Sequence, residues 1–155
     1  MTTVSIVPTM RLADGPIRAT FGERVAAALV CLACAGIIGL AAWLHPAGTG
    51  HGTHTQLGLP ACPWPASVGG PCPTCGMTTS FAFAAHGQFG RSFTTQPFGF
   101  VLALLTAAAF WAGLHIAATG SPAGRMYARL MRPRALWVLT GLALAAWGYK
   151  WATWS

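Results

Sequence analysis

Three apolar runs and one long polar interval organise this chain. Val25 to Leu44 carries no charged residue, nor does Phe98 to Ala118, and a third run extends from Ala135 to about Tyr149 before Lys150 and Trp151. At 1.5 Å per residue, about 20 apolar residues in a helix cross a hydrocarbon core ~30 Å thick. The pattern therefore predicts an all-α integral membrane protein with three transmembrane helices, over about 25–44, 98–118 and 135–151. The first run is longer than the roughly 7–15 apolar residues of a signal peptide and reads as a retained anchor. Pro46 and the glycines after it end the first helix, and Gly120 and Pro122 end the second. Residues 1–24 contain Pro8, Gly15 and Pro16 and no sustained apolar period. They read as a flexible cytoplasmic tail, leaving 25–155 as a single membrane domain.

The interval 45–97 is the long loop. Pro46 to Thr55 is rich in Gly, Thr and His, and Leu57 to Pro73 is too rich in Pro and Gly to hold a regular helix. After Cys75 the pattern changes: Met77, Phe81, Phe83, Ala84 and Ala85 predict a short interfacial or re-entrant helix that ends near His86-Gly87. It is too short to span. Phe89, Phe93 and Phe98 then lead into the second long run.

Composition supports lipid as the main solvent. Of the 155 residues, 54% are hydrophobic and 7% charged, against about 25% charged in a soluble domain. The net charge of +7 arises from nine Lys and Arg against two acidic residues, Asp14 and Glu23. These charges flank apolar runs, which points to topology and anionic lipid rather than nucleic acid. Arg11, Arg18 and Arg24 lie in the tail, and Arg125, Arg129, Arg132 and Arg134 between the second and third runs; the loop has only Arg91. The positive-inside rule places the tail and the basic connector in the cytoplasm and the loop outside. Trp137, Trp147, Trp151 and Trp154 fall near the ends of the third run, where indole rings favour the headgroup level. There is no carboxylate pair for acid/base work and no phosphate-binding fingerprint, so hydrolytic and nucleotide chemistry are set aside.

Any chemistry centres on Cys62, Cys72 and Cys75, three of the five cysteines. Cys72-Pro73-Thr74-Cys75-Gly76 has the spacing of a metal knuckle: two thiolates two residues apart reach one ion from a tight turn, and Gly takes the positive φ that follows. Zinc or another thiolate-bound metal would need four ligands. Cys62 supplies a third, and His86, with His45, His51 and His54 as alternatives, a fourth. Cys-Pro-x-Cys also has the shape of a thiol oxidoreductase motif, and a helix beginning near Cys75 would lower thiol pKa. A structural disulfide or an inert turn is the third reading, since an outward-facing loop meets an oxidising compartment. Cys31 and Cys34 share a face of the first helix and read as small packing thiols. His51 and His54 otherwise read as solvated loop residues, and His115, near the cytoplasmic end of the second run, as a neutral hydrogen-bonded side chain.

Residues 61–105 resemble a bacterial membrane family, the domain of unknown function 2752. Its pattern is Cys-Pro, about ten residues, then Cys-Pro-x-Cys-Gly-x-Thr, a short helix, a His/Arg-Gly turn and a polar-Pro pair entering a transmembrane helix. Cys62, Pro63, Cys72, Pro73, Cys75, Gly76, Thr78, His86, Gly87, Gln96 and Pro97 match it. Many members resemble Cys-Gly-x-Thr-Arg, whereas Thr79 stands where that Arg would be; Thr78, Thr79 and Ser80 could place hydroxyls near the cysteines instead. The resemblance implies a multi-pass protein of the bacterial inner membrane with this loop at its centre, and no particular reaction. The expectation is a non-enzymatic membrane module whose Cys62, Cys72, Cys75 and His86 form a structural metal or disulfide site. The alternatives are a membrane thiol-disulfide oxidoreductase using Cys72 and Cys75, and a small subunit of a transporter or complex that works as a homo-oligomer or with a membrane-protein partner.

Overall fold

The computed structural model describes residues 18–124 and 133–154, and among them every regular element is helical. Helix α1 (Phe21–Trp43) starts at a capping box: the Thr20 hydroxyl accepts from the Glu23 N–H at 3.3 Å, and the Glu23 carboxylate accepts from the Thr20 N–H at 2.7 Å. It ends at Leu44, just before Pro46. The loop then forms a 3₁₀ turn (Thr53–Leu57) and three short helices, α2 (Trp64–Val68), α3 (Met77–Ala85) and α4 (Phe89–Thr95). Helix α5 (Pro97–Thr119) opens with Pro at its first position, where a missing N–H costs nothing, and closes on Gly120 at φ 68°. Helix α6 (Pro133–Ala152) follows.

Helices α1 and α5 form the main antiparallel pair. Gly113 permits their close approach: a Cβ there would lie 2.8 Å from the Ala27 carbonyl oxygen and 3.2 Å from the Cys31 Cβ. Cys31 is thus a packing residue, as its place on α1 suggested. At the same end, Arg24 donates to the Ala117 carbonyl through Nη2 at 2.8 Å and Nε at 3.1 Å, satisfying an orphan carbonyl at the C-terminus of α5. The loop and the C-terminal end of α6 occupy the opposite end of the pair, where Tyr149 Oη donates to the Thr94 carbonyl at 3.1 Å.

The expectation of a short helix after Cys75 is met by α3. Two other expectations are corrected. Trp64–Val68 is a single helical turn inside the Pro- and Gly-rich stretch, with Pro65 in its first turn and Gly69 in the left-handed conformation at its end; Pro disrupts a helix only beyond the first turn. Phe89 and Phe93 do not simply lead into the long helix. They lie one turn apart on α4 and meet the Phe100 ring with centroids 6.2 and 5.9 Å away.

The third run does form a helix, but only α1 and α5 are long and apolar enough to cross a membrane; there are two candidate spans among the described residues and not three. Gly148, Tyr149 and Lys150 dilute the end of α6. Few residues of either long helix are buried, and large apolar side chains such as Leu32 and Trp111 are exposed, unlike the core helix of a water-soluble domain. His115 is exposed on α5. Residues 1–17 of the expected tail and 125–132 of the basic connector lie outside the described residues.

The glycine contact gives a test. Gly113→Val should lower the unfolding free energy in detergent by about 1–3 kcal/mol through overpacking. Gly39→Ala, where an added methyl meets nothing within 4 Å, should not destabilise. Denaturant titration followed by tryptophan fluorescence reads both.

Candidate functional site

The loop is held together by hydroxyl groups before any of its sulfurs is considered. Ser80 Oγ donates to the Ser92 carbonyl at 3.0 Å, while Ser92 Oγ donates back to the Ser80 carbonyl at 2.7 Å, locking α3 to α4. Thr53 and Thr79 share a hydroxyl hydrogen bond of 2.8 Å, and Thr53 Oγ1 accepts from the Ala47 N–H at 3.0 Å. Thr53, Thr79, Ser80 and Ser92 are all buried, so these bonds satisfy groups that water cannot reach. The expectation that Ser80 would serve the cysteines is corrected: its hydroxyl belongs to the α3–α4 joint.

Cys72 to Cys75 form a tight turn, in which the Cys75 N–H donates to the Cys72 carbonyl at 3.0 Å. Gly76 follows at φ 82° and caps α3. A Cβ on Gly76 would lie 2.7 Å from the Gly50 carbonyl oxygen, so both its conformation and its surroundings demand glycine. The Cys72 sulfur lies 3.5 Å from Thr74 Oγ1, and Cys62, Cys72 and Cys75 line one cavity. All three loop cysteines are free thiols. Cys75 is buried, at 7% exposure; Cys62 and Cys72 are half-buried.

The two ends of the turn differ electrostatically. Burial pushes the Cys72 thiol up, but hydrogen bonds from the Thr74 hydroxyl and backbone, and from the Cys62 and Cys75 side chains, outweigh it and leave Cys72 below the ordinary cysteine value. Cys75 lies above that value: burial raises it, a charge on Cys72 raises it further, and the Lys150 ammonium opposes both.

The thiols border a cavity of about 630 Å³. Ile37, Leu40 and Leu44 of α1 form an apolar wall, and Cys62, Cys72 and Cys75 lie among its other lining residues. His51 and His54, read from sequence as solvated, also line it. His51 is held by the Thr49 carbonyl at 3.0 Å and stacks obliquely on Trp154, with centroids 5.0 Å apart. His86 is placed elsewhere: at the C-terminus of α3, its Nε2 donates to the Leu44 carbonyl at 3.1 Å, and its ring lies 6.5 Å from that of His45. Among the described residues, no group of three or more His, Cys, Asp or Glu side chains is arranged to hold a metal ion.

The end of α6 completes the site, which the sequence reading missed. Trp147 Nε1 donates to the Pro71 carbonyl at 3.1 Å, and Lys150 Nζ to the Thr95 carbonyl at 3.2 Å. The Trp151 ring fills the space that a side chain on Gly70 would need. The sequence assigned these tryptophans to the headgroup level; Trp147 and Trp151 instead clamp the loop. Their aromatic and cationic character was visible in the chain, but no local signal paired them with a loop some 76 positions away.

Residues 62–110 match the family model described as a protein of unknown function, DUF2752. The resemblance expected over 61–105 is thereby met. No curated protein and no solved structure matches the chain. The DUF2752 segment contains the three loop thiols, α2, α3, α4 and the first part of α5. The apolar wall from α1 and the clamp from α6 lie outside it. Thr79, where the resemblance led one to expect an Arg, is fully buried against Thr53, and a cation beside this turn is Lys150.

Gly76→Ala should loosen the turn and speed native-state alkylation of Cys75, because left-handed strain of about 1–3 kcal/mol is added to the clash with Gly50. Gly87→Ala carries similar strain at φ 74° but no nearby atom, and should leave Cys75 protected. Site-resolved mass spectrometry after timed labelling compares them.

Proposed function

We propose that this chain is a membrane-embedded thiol-disulfide exchange module in which Cys72 attacks and Cys75 resolves. The observation that carries the reading is the asymmetry of the pair: a half-buried thiol held below the ordinary value beside a buried one held above it, on the wall of one cavity. Thiolate is the nucleophile, so the lower value favours Cys72 near neutral pH. Cys72 thiolate attacks a substrate disulfide, forming a mixed disulfide and releasing one substrate thiol. Cys75, losing its proton, then attacks the Cys72 sulfur; the Cys72–Cys75 disulfide forms and the second substrate thiol leaves. Two electrons and two protons pass to the substrate disulfide, and the cycle runs in reverse with a dithiol. Cys62, which lines the same cavity, accepts the disulfide in turn in this reading.

The apolar surfaces of α1 and α5 support embedding in a membrane. Helix α1 caps α5 through Arg24 and walls the cavity, which supports its retention as an anchor. The distribution of Lys and Arg supports an orientation with the N-terminus in the cytoplasm and the loop outside. A second reading, in which Cys62, Cys72 and Cys75 hold zinc or a similar soft ion, has in its favour that the three thiols line one cavity, although no group of three ligands is arranged for a metal among the described residues. It needs a fourth ligand other than His86 in its present contact.

The test uses purified protein and a small aromatic disulfide. Cys75→Ser should accumulate a mixed disulfide on Cys72, and Cys72→Ser should abolish the release of substrate thiol. Alkylation of Cys72 should persist to lower pH than that of Cys75. Absence of exchange, together with stoichiometric metal and three protected thiols, would overturn the exchange reading in favour of the metal site.

A further inference from the structure

Lys150 is 7% exposed, and among the described residues its one hydrogen bond is to the Thr95 carbonyl. An ammonium carries three donors, and burying it is costly unless an anion stands near. Glu23, the carboxylate among the described residues, lies at the start of α1 in the capping box with Thr20, at the opposite end of the helix pair. Lys150 Nζ instead stands over the thiol turn: a methyl on Gly76 would be 3.6 Å from it, and one on Gly50 3.7 Å. Gly76 is the residue next to Cys75. The ammonium and the Cys75 sulfur influence each other electrostatically, Lys150 favouring the anionic thiol. The other titratable groups around this point are Cys72 of the turn, Cys62, His51 and His54 of the cavity wall, and Tyr149, whose hydroxyl is engaged with the Thr94 carbonyl.

We infer that Lys150 is a positioning residue of the thiol site: anchored on the Thr95 carbonyl, its ammonium holds the negative charge that the Cys75 sulfur carries when it attacks the disulfide at Cys72. This rests on the exchange reading above and extends the site beyond the DUF2752 segment, to the last turns of α6. It explains why a cation is buried in a chain with so few carboxylates. It also assigns the two thiols different aids: Thr74 and the neighbouring thiols serve Cys72, and Lys150 serves Cys75.

The experiment loads Cys72 of the full-length protein in detergent with a chromogenic aromatic thiol and follows its release by Cys75 at fixed pH. Lys150→Met should slow release about tenfold, the equivalent of one pKa unit of lost stabilisation. Lys150→Arg should restore most of the rate, because it returns the charge. Lys150→Gln keeps a donor for the Thr95 carbonyl without the charge, and should be as slow as Lys150→Met; it serves as the test should the Met variant not fold. Native-like release in Lys150→Gln, or an Arg variant as slow as Gln, would overturn the inference. If the native protein loads and releases nothing, the exchange reading fails by itself, and Lys150 is then judged by alkylation of Cys75. Slower labelling in Lys150→Gln with rescue by Arg supports the charge contact, and equal rates overturn it.

Discussion

A polar loop seated on the end of apolar helices must find partners for its buried backbone groups within the protein, because an apolar surface offers none. The structure meets this constraint with reciprocal bonds between Ser80 and Ser92, the Thr53–Thr79 hydroxyl pair, and side chains of α6 that reach the carbonyls of Pro71, Thr94 and Thr95. The thiol turn is suspended within this frame. Its closest approach, the Gly50 carbonyl against Gly76, is possible only because the second residue has no side chain. The placement of Cys72 and Cys75 therefore depends on serines and threonines bonded to one another and to the loop backbone.

What local pattern specifies was readable, and what tertiary contact specifies was not. Apolar runs predicted α1 and α5 within a few residues, and the change of pattern after Cys75 predicted α3. The third run predicted a helix correctly and its membrane crossing incorrectly, because apolar residues and aromatic flanks look alike whether they meet lipid or a folded loop. Trp147 and Trp151 illustrate this: an indole with one polar N–H suits a headgroup or a buried carbonyl equally well. The spacing of Cys72 and Cys75 announced a tight turn, and Cys62 lines the same cavity. His86 could be ranked as a ligand only on residue type, and its ring instead spans to Leu44, at the end of a helix some 42 positions earlier.

The position of His86 also bears on how the exchange and metal readings compare. Its donation to the Leu44 carbonyl joins the end of α3 to the end of α1. Turning it toward sulfur would strip a helix-terminal carbonyl of its partner as well as move the ring. Thiol exchange would require no such rearrangement, because it needs only Cys72 and Cys75, which one tight turn already holds.

The cavity gives the thiols a particular neighbourhood. Its apolar wall comes from the last turns of α1, a helix that packs on α5 and exposes large apolar side chains elsewhere, and its sulfur-bearing side comes from a loop closed over by α6. A group approaching Cys72 thus meets hydrocarbon on one side and hydrogen-bonded loop on the other. Such a boundary disfavours charge on sulfur. Cys72 overcomes that penalty through local hydrogen bonds, while Cys75, deeper in the turn, remains raised even with an ammonium beside it. Two sulfurs three positions apart are thereby given unequal tendencies to ionise, and that inequality sets the direction in which a disulfide would be attacked.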